Sequence, residues 1–219
     1  MAGCRRAPQR VNTIMYKFKE TTPNWMYHKA NLDFTALPAI QKELLKLLVI
    51  TKKQNLVPYT STFVEIADKE LVRNTCTTLM QELKRLDIYN NFFVISFISV
   101  ESNREFPPHV DVGVDIALNI PLTNCEGTYT VWYDGQLKDQ GLPTYAMGSP
   151  IAEISRVANP RTVTEIGRCD ASIPHWINVN MIHRPETTHD RFRVAASIRF
   201  DPEPVDETGE LWPHLVAPK

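Results

Sequence analysis

The sequence predicts one mainly β domain, a sandwich or barrel of short strands flanked by helices. After about residue 91, segments rich in Val, Ile and aromatic residues are separated by clusters of Pro, Gly or Asn, which is typical of many-stranded β-proteins. Residues 35–88 instead carry apolar side chains at helical spacing. A chain of 219 residues is long enough for one domain with a substantial core and short for two. We therefore expect one domain over 15–200, with a helical part at 35–88 and a β part at 91–200.

Two helices and a short strand are predicted in the helical part. From Leu37 to about Lys52, apolar residues recur every three or four positions and so share one helix face. They are Leu37, Ile40, Leu44, Leu47 and Leu48. A second stripe predicts a helix from Asp68 to Leu86, with Asp68 as its N-cap. Between the helices, the segment TSTFVEI at 60–66 predicts a short strand.

The β part contains a series of predicted strands. They span 91–100, 114–122, 127–134, 152–158, 162–169, 177–183 and 191–200. In the last strand, side chains alternate between two faces. The two sets are Phe192, Val194, Ala196, Ile198 and Phe200 on one face, and Arg191, Arg193, Ala195, Ser197 and Arg199 on the other. One face of this strand is therefore expected to be apolar and the other to carry arginines.

The charge of the chain is balanced, with 24 basic and 25 acidic residues and a formal net charge of −1. Such a balance gives no overall attraction for nucleic acid or for an anionic membrane. No apolar run approaches the roughly 20 residues of a spanning helix, and the basic segment 1–14 lacks the apolar region of a secretory signal. We expect 1–14 to be a flexible tail and the Pro-rich, acidic segment 201–219 to be a surface extension. The four widely spaced cysteines predict free thiols in a reducing cytoplasm; they are Cys4, Cys76, Cys125 and Cys169.

A candidate metal site begins with His109 and Asp111 in the segment FPPHVDVGVD. In an extended chain, residues two apart point the same way, so one imidazole and one carboxylate can converge on a single ion. A second, distant histidine would complete a 2-His-1-carboxylate triad, which leaves positions open on one side of the metal for other ligands. His175 and His183 are both candidates. Because they are eight residues apart, about 26 Å in a single strand, only one of them is expected to bind.

The segment IPHWINVNMIHRPETTHDRFRVAASIRF at 173–200, together with the H-x-D tripeptide, resembles the C-terminal half of 2-oxoglutarate/Fe(II) oxygenases. Prolyl 4-hydroxylase-type members carry H-x-D, a distal histidine and then a Lys or Arg. Here Arg193 lies 193 − 183 = 10 residues beyond His183, the spacing that these members show, whereas Pro185 holds that position relative to His175. The resemblance covers about 91–200 and favours His183 as the distal ligand.

The resemblance implies a double-stranded β-helix, a cupin-type or jelly-roll barrel with the N-terminal helices packed on one face. It implies Fe(II) held by His109, Asp111 and His183, with 2-oxoglutarate and O₂ as co-substrates. Arg193 would bind the distal carboxylate of 2-oxoglutarate, which suits a bidentate guanidinium. Ser197 would add a hydroxyl to the same carboxylate, and Arg199 is the alternative to Arg193.

The substrate is less well indicated. The elements NIPLTN and WINVN look like those of small prolyl hydroxylase-like and aspartyl/asparaginyl hydroxylase-like members, some of them encoded by phages. This likeness implies hydroxylation of a C–H bond in an amino-acyl, peptidyl or other small substrate, with release of succinate and CO₂. Two other readings stay open. One is a cupin-type Zn or Mn enzyme of a different reaction class, and the other is a non-enzymatic binding barrel with a chance H-x-D.

Further residues are weaker candidates for the same pocket. Asn119, Ser99 and Tyr129 could hydrogen-bond the co-substrate, although core packing is the more common role of an aromatic residue in a strand. The same holds for the neighbouring Trp132 and Tyr133. Asp115 is expected at the surface rather than behind the metal. The remaining histidines are assigned no role; they are His28, His189 and His214.

Overall fold

The helices lie in the first part of the chain and most of the strands follow, as the sequence predicts, but a short strand that was not predicted precedes the first helix. A computed structural model describes residues 25–53, 63–100, 107–111, 114–137 and 156–218. The helices are α1 (Leu37–Lys53), α2 (Lys69–Thr75) and α3 (Thr77–Arg85). The strands are β1 (Tyr27–Lys29), β2 (Phe63–Ile66), β3 (Phe92–Val100), β4 (His109–Val110), β5 (Ile116–Thr123), β6 (Thr128–Asp134), β7 (Arg156–Val157), β8 (Thr164–Asp170), β9 (His175–Asn178), β10 (His183–Thr187) and β11 (Arg193–Phe200). Within these ranges, no helix is long and apolar enough to cross a membrane.

The predicted second helix is in fact two helices, α2 and α3, which break at Cys76. Asp68 caps α2 as predicted, because its side chain accepts a hydrogen bond from the backbone N–H of Leu71 at 3.0 Å. The first turn of α3 is capped from another element. The carboxylate of Glu43 on α1 accepts from the backbone N–H of Thr78 at 3.0 Å. This tertiary cap starts a new helix at a point where the apolar stripe of the sequence continues unbroken.

The strands form two antiparallel sheets. One has six strands in the order β1-β9-β5-β11-β3-β2, and the other has five in the order β7-β4-β10-β6-β8. The eight strands β3 to β6 and β8 to β11 have the order of a double-sheet jelly roll, the double-stranded β-helix. The predicted fold class is therefore confirmed, although the two sheets remain open and do not close into one hydrogen-bonded barrel.

The predicted strand at 177–183 is wrong. Strand β9 ends at Asn178, and residues 179–182 carry the chain from the six-stranded sheet to the five-stranded one, where β10 begins at His183. His175 and His183 therefore do not lie 26 Å apart along one strand, so the spacing argument is wrong. The expectation that only one of them would bind still holds, because of the two only His183 lies with His109 and Asp111 among the described residues. Of the predicted strand at 152–158, only β7 lies within the described residues, and residues 60–62 and 1–14 lie outside them.

The helices pack on the outer face of the six-stranded sheet, as expected. Leu44, Leu79 and Leu83 are fully buried against apolar side chains of that sheet, including one face of β11. The β11 residues concerned are Val194, Ala196, Ile198 and Phe200. The C-terminal segment joins the same core, because Leu215 is fully buried and the Trp176 indole donates to its carbonyl at 3.1 Å. Residues 201–218 therefore supply buried side chains as well as covering the surface.

The opposite face of the six-stranded sheet is polar and looks towards the five-stranded sheet. Cross-strand partners point to the same side of a sheet, and Ser197 pairs with Ser96 on one side and with Asn119 on the other. Asn119 pairs in turn with His175. These four buried residues, Ser96, Ser197, Asn119 and His175, form what we call the inner polar row. The helices thus take up the apolar face, and a polar face is left between the sheets.

The packing of α1 generates a prediction about stability. Leu44 is fully buried and Val49, on the same helix, is half exposed. Leu44→Ala should lower the free energy of unfolding by about 2–5 kcal/mol, because it removes buried methylene groups and leaves a cavity. Val49→Ala should change it by less than about 0.5 kcal/mol. Urea denaturation followed by circular dichroism measures both, and equal effects would contradict the assigned helix face.

Candidate active site

The side chains of His109, Asp111 and His183 converge between the two sheets. Their candidate ligand atoms all lie within 4.8 Å of one another, and this is the one such group of three among the described residues. The Nε2 atom of His109 is 3.5 Å from Oδ1 of Asp111, and the two imidazole rings are 4.7 Å apart between centroids. The convergence follows from the sheet register, because His183 on β10 is the cross-strand partner of His109 on β4. The predicted triad is thus brought together.

Both triad histidines have one ring nitrogen held by the backbone. Nδ1 of His109 lies 2.9 Å from the carbonyl oxygen of Pro107, and Nδ1 of His183 lies 2.9 Å from that of Met181. A carbonyl oxygen accepts only, so Nδ1 carries a proton in both rings and Nε2 is the nitrogen that can bind a metal. Burial lowers the pKa of His183 to about 4, with His109 acting in the same direction. His183 is therefore neutral near pH 7, as a metal ligand must be.

Asp111 is fixed through both its backbone and its carboxylate. Its N–H donates to the carbonyl of Val179 at 2.9 Å, and the N–H of Val179 donates to the carbonyl of Asp115 at 2.8 Å. The N–H of Asp115 donates to a carboxylate oxygen of Glu203 at 2.5 Å. Val179 lies in the connection that leads to His183, so one residue ties together the two chain segments that supply the triad.

A buried arginine holds the Asp111 carboxylate. The Arg199 guanidinium donates to Oδ2 of Asp111 at 2.7 Å, and both side chains are nearly inaccessible to solvent. Burial alone would raise the pKa of Asp111, but the positive charge of Arg199 and the two triad imidazoles outweigh it, so the pKa is lowered. With Oδ2 held by Arg199, Oδ1 faces His109. The arrangement offers one carboxylate oxygen and two imidazole nitrogens to a metal ion.

Arg193, the predicted co-substrate arginine, is also buried between the sheets but has no acidic partner among the residues that the structure describes. Its side chain is 2% exposed, and it forms no ion pair with a carboxylate in the described part of the chain. Its Nε atom makes no hydrogen bond there. Burial lowers the pKa of Arg193, and the groups that oppose this effect are the thiols of Cys125 and Cys169. An unpaired buried guanidinium is costly, so the site is suited to an anion.

Two other predicted residues share this polar space. Asn119 and Ser197 are cross-strand partners in the inner polar row, and both are buried. Oδ1 of Asn119 has no hydrogen-bond partner among the described residues. Ala195 and Ser197 are small and lie on β11 between the two arginines. The inward-facing residues between Arg193 and Arg199 on β11 are therefore both small.

Three of the weaker candidates are not brought into this space. Tyr129 and Tyr133 lie on the outer face of the five-stranded sheet with Val131, where Tyr129 contacts Arg168 and the Tyr133 hydroxyl donates to Glu186. Ser99 pairs with Val194 and so lies on the helix side of its sheet. Neighbouring side chains in a strand point to opposite faces of the sheet. The sequence did not show which face each of these three residues occupies.

The remaining candidates take structural positions. Trp132 pairs with His183 and is fully buried, and its indole donates to the carbonyl of Asn178 at 3.0 Å. The ring of His28 lies 4.8 Å from that of Trp25. His189 and His214 bind backbone carbonyls in turns, at 2.9 and 3.0 Å. None of these histidines belongs to the triad cluster.

Three functional candidates were missed or undervalued by sequence reasoning. His175 was considered only as a metal ligand, yet it lies in the inner polar row with Asn119. Ser96 lies in the same row, and its hydroxyl is buried without a partner among the described residues. Arg199 was considered only as a substitute for Arg193. The alternation of β11 places Arg199 on the correct face, but its bond to Asp111 depends on how the two sheets pack.

The chain was compared with known proteins. No family model and no curated protein matches it. Among solved structures it is similar to the non-heme α-ketoglutarate-dependent carbocyclase SnoK from nogalamycin biosynthesis, with 10% identity, a TM-score of 0.45, and coverage of 80% of this chain and 78% of that one. It is also similar to HygX from Streptomyces hygroscopicus, solved with nickel and 2-oxoglutarate, with 8% identity, a TM-score of 0.42, and coverage of 80% and 81%. The epimerase SnoN, solved with Fe³⁺, α-ketoglutarate and nogalamycin RO, is similar with 14% identity, a TM-score of 0.42, and coverage of 80% of this chain and 77% of that one.

These likenesses are distant in both identity and TM-score. We therefore infer the function from the residues of this chain and their geometry.

The contact between Arg199 and Asp111 generates a prediction about metal affinity. Arg199→Ala should weaken binding of a divalent metal by about 10- to 100-fold, because the group that orients a ligating carboxylate is lost. Arg199→Lys keeps the positive charge but loses the forked guanidinium. Its metal affinity should therefore lie between those of the parent protein and Arg199→Ala. Arg191→Ala is the control, since Arg191 is exposed outside β11. Anaerobic titration with Fe(II) or Mn(II) measures the affinities, and an unchanged Kd in a folded Arg199→Ala protein would refute the assigned role.

Proposed function

We propose that the protein is an Fe(II)- and 2-oxoglutarate-dependent oxygenase. The observation that carries the proposal is the pairing of two features between the same two sheets. One is the cluster of His109, Asp111 and His183, and the other is the buried Arg193 guanidinium, which has no carboxylate partner in the described residues. The His-Asp-His cluster suits a metal ion, and the Arg193 guanidinium suits an anion that extends to that metal.

The donor set fits Fe(II). Two imidazoles and one carboxylate form the 2-His-1-carboxylate arrangement, which leaves open positions for further ligands and is diagnostic of non-heme Fe(II) oxygenases. The Nδ1–H groups of both histidines donate to backbone carbonyls, so Nε2 is the metal-binding nitrogen of each ring. Such outer partners orient metal ligands and keep the correct tautomer. We propose that His109 Nε2, Asp111 Oδ1 and His183 Nε2 are the ligands.

The rest of the space fits 2-oxoglutarate. A five-carbon diacid held at the metal by its keto-acid end needs a partner for its second carboxylate, and a guanidinium can bind a carboxylate through two parallel hydrogen bonds. Arg193 is the buried arginine without an acid among the described residues. Asn119 and Ser197 line the space with polar atoms, and Ser197 is small enough to leave room. We propose Arg193 as the carboxylate anchor and Ser197 and Asn119 as its neighbours.

When bound, the iron couples reduction of O₂ and conversion of 2-oxoglutarate to succinate and CO₂ with oxidation of a substrate C–H bond. The chain's own contribution is placement. The backbone carbonyls hold the imidazoles, Arg199 holds Asp111, and Arg193 sets the direction of the diacid. The buried walls exclude water from the space, which strengthens these electrostatic contacts.

The reaction outcome and the substrate are proposed more narrowly from the sequence resemblance. We propose hydroxylation, with an amino-acyl or peptidyl substrate as the first class to test. The competing assignments are a Zn or Mn enzyme of another class and a binding protein without catalysis. Neither assignment by itself calls for the buried Arg193, which has no carboxylate partner in the described residues, whereas a diacid co-substrate does.

Turnover tests the proposal directly. The purified protein supplied with Fe(II), 2-oxoglutarate and O₂ should form succinate, even slowly without substrate, and Asp111→Ala should abolish it by removing a metal ligand. Asp134→Ala, an exposed carboxylate at the end of β6, is the control. Succinate is measured by mass spectrometry. Zn- or Mn-supported chemistry without succinate would favour the rival enzyme class.

Arg193 generates a prediction that concerns the co-substrate alone. Arg193→Ala should raise the KM for 2-oxoglutarate by about 100-fold or more, because a charge-assisted bidentate contact is lost. Fe(II) affinity should change little, since Arg193 does not contact the triad cluster. Arg191→Ala is the matched control. If Arg193→Ala leaves the KM unchanged while Arg199→Ala raises it, the second arginine is the anchor, and if neither matters, 2-oxoglutarate is not the co-substrate.

A further inference from the structure

The indole of Trp132 lies beside the triad. Trp132 is the cross-strand partner of His183, and cross-strand partners point to the same face of a sheet, with their Cβ atoms about 4.5–5.5 Å apart. Trp132 packs between the two sheets against Ala117 and Ile177 and is fully buried. A readily oxidised aromatic ring is therefore next to a proposed ligand of the iron.

Tyr27 connects this buried indole to the surface. Its ring stacks on that of Trp132, with the ring centroids 5.9 Å apart and an angle of 17° between the planes. The stacking follows from the register of the six-stranded sheet, because Tyr27 on β1 pairs with Ile177, which packs against Trp132. Tyr27 is 42% exposed. The two stacked rings thus lead from the triad to solvent.

The two rings differ in what happens to their protons on oxidation. The Nε1–H of Trp132 donates to the carbonyl of Asn178 at 3.0 Å, and a carbonyl oxygen accepts a hydrogen bond but is too weak a base to remove the proton. Trp132 oxidised by one electron therefore stays a radical cation, which is a strong oxidant. The partly exposed Tyr27 can release its phenol proton to water. An electron is therefore expected to move from Tyr27 to an oxidised Trp132.

We propose that Trp132 and Tyr27 form a route that carries electrons to the metal site when no substrate is bound, an inference that rests on the proposed function. Consumption of 2-oxoglutarate without substrate leaves the site two electrons more oxidised than Fe(II), with one oxygen atom of O₂ still to be released. Trp132 supplies one electron and becomes a radical cation. Tyr27 then reduces Trp132, loses its phenol proton to water and becomes a neutral tyrosyl radical.

A small-molecule reductant such as ascorbate completes the cycle. It returns one electron to Tyr27, and the solvent returns the proton. Two such passes, with two protons taken up from solvent at the metal site, restore Fe(II) and release the oxygen atom as water.

The route protects an oxidisable part of the chain. Met26 and Met181 pack against the same apolar cluster as Trp132, and methionine thioethers are readily oxidised to sulfoxides. Without a route to the surface, the oxidising equivalents left at the metal react with these neighbours. Damage to this cluster is therefore a second readout of the route.

The variant Tyr27→Phe tests the route, because it removes the phenol and keeps the ring that stacks on Trp132. Fe(II)-loaded protein is mixed with 2-oxoglutarate and O₂ without substrate, frozen rapidly and examined by electron paramagnetic resonance. The parent protein should show a tyrosyl radical, and Tyr27→Phe should lose it. Tyr129→Phe is the matched control and should keep the signal, since Tyr129 lies on the outer face of the strand that carries Trp132.

Peptide mass spectrometry of the same samples gives the second readout. With ascorbate present, Tyr27→Phe should incorporate more oxygen at Trp132, Met26 and Met181 than the parent protein or Tyr129→Phe. Equal oxidation of these residues in all three proteins overturns the proposal, and so does a tyrosyl radical that survives in Tyr27→Phe. In either case, consumption of 2-oxoglutarate by the parent protein leaves the proposed function standing.

A parent protein that does not consume 2-oxoglutarate contradicts the proposed function instead. The route is then tested by mixing the Fe(II)-loaded protein with hydrogen peroxide, which supplies the same two oxidising equivalents and leaves as water. A tyrosyl radical lost only in Tyr27→Phe supports the route, and identical spectra of the three proteins refute it.

Discussion

The buried contact between Arg199 and Asp111 is the interaction on which the candidate site depends. It joins β11 of the six-stranded sheet to the segment that follows β4 of the five-stranded sheet. Taking both charges out of water is expensive, and a core of apolar residues would avoid that cost. The pair instead holds one carboxylate oxygen in place and leaves the other facing His109. The site is thus fixed across the space between the sheets as well as along the strands.

The two arginines on the inner face of β11 differ in whether they are paired with an acid. At one end, the positive charge of Arg199 is paired with Asp111, which lies in the cluster with His109 and His183. At the other end, Arg193 is buried without an acid in the described residues. The helices make this possible because they pack on the opposite face of the sheet and supply the hydrophobic stabilisation there. The inner face of β11 can then carry arginines, a serine and an alanine.

Much of the fold and the triad could be predicted from the sequence because the evidence is local. Helix α1, strand β3 and the alternation of β11 follow from the spacing of apolar residues. His109 and Asp111 follow from the two-residue period of a strand. The choice of His183 over His175 came from the spacing to Arg193, and the strand argument offered beside it was wrong because the chain changes sheets after Asn178.

What could not be predicted depends on contacts between distant elements. The break at Cys76 depends on the Glu43 cap from α1. The outward direction of Tyr129 depends on which face of β6 packs inward, and β6 has aromatic residues on both faces. The contact of Arg199 with Asp111 depends on the distance between the two sheets. Each of these is decided by tertiary packing, which a single sequence records only indirectly.

The most direct test of the central claim is anaerobic titration of the Fe(II)-loaded protein with 2-oxoglutarate, followed by visible absorption. If the metal and the diacid share the space between Arg193 and the triad, a weak charge-transfer band should grow and saturate at one equivalent of 2-oxoglutarate per iron. The Asp111→Ala protein should show no such band. A protein that binds Fe(II) tightly but gives no band with 2-oxoglutarate at millimolar concentration would contradict the account.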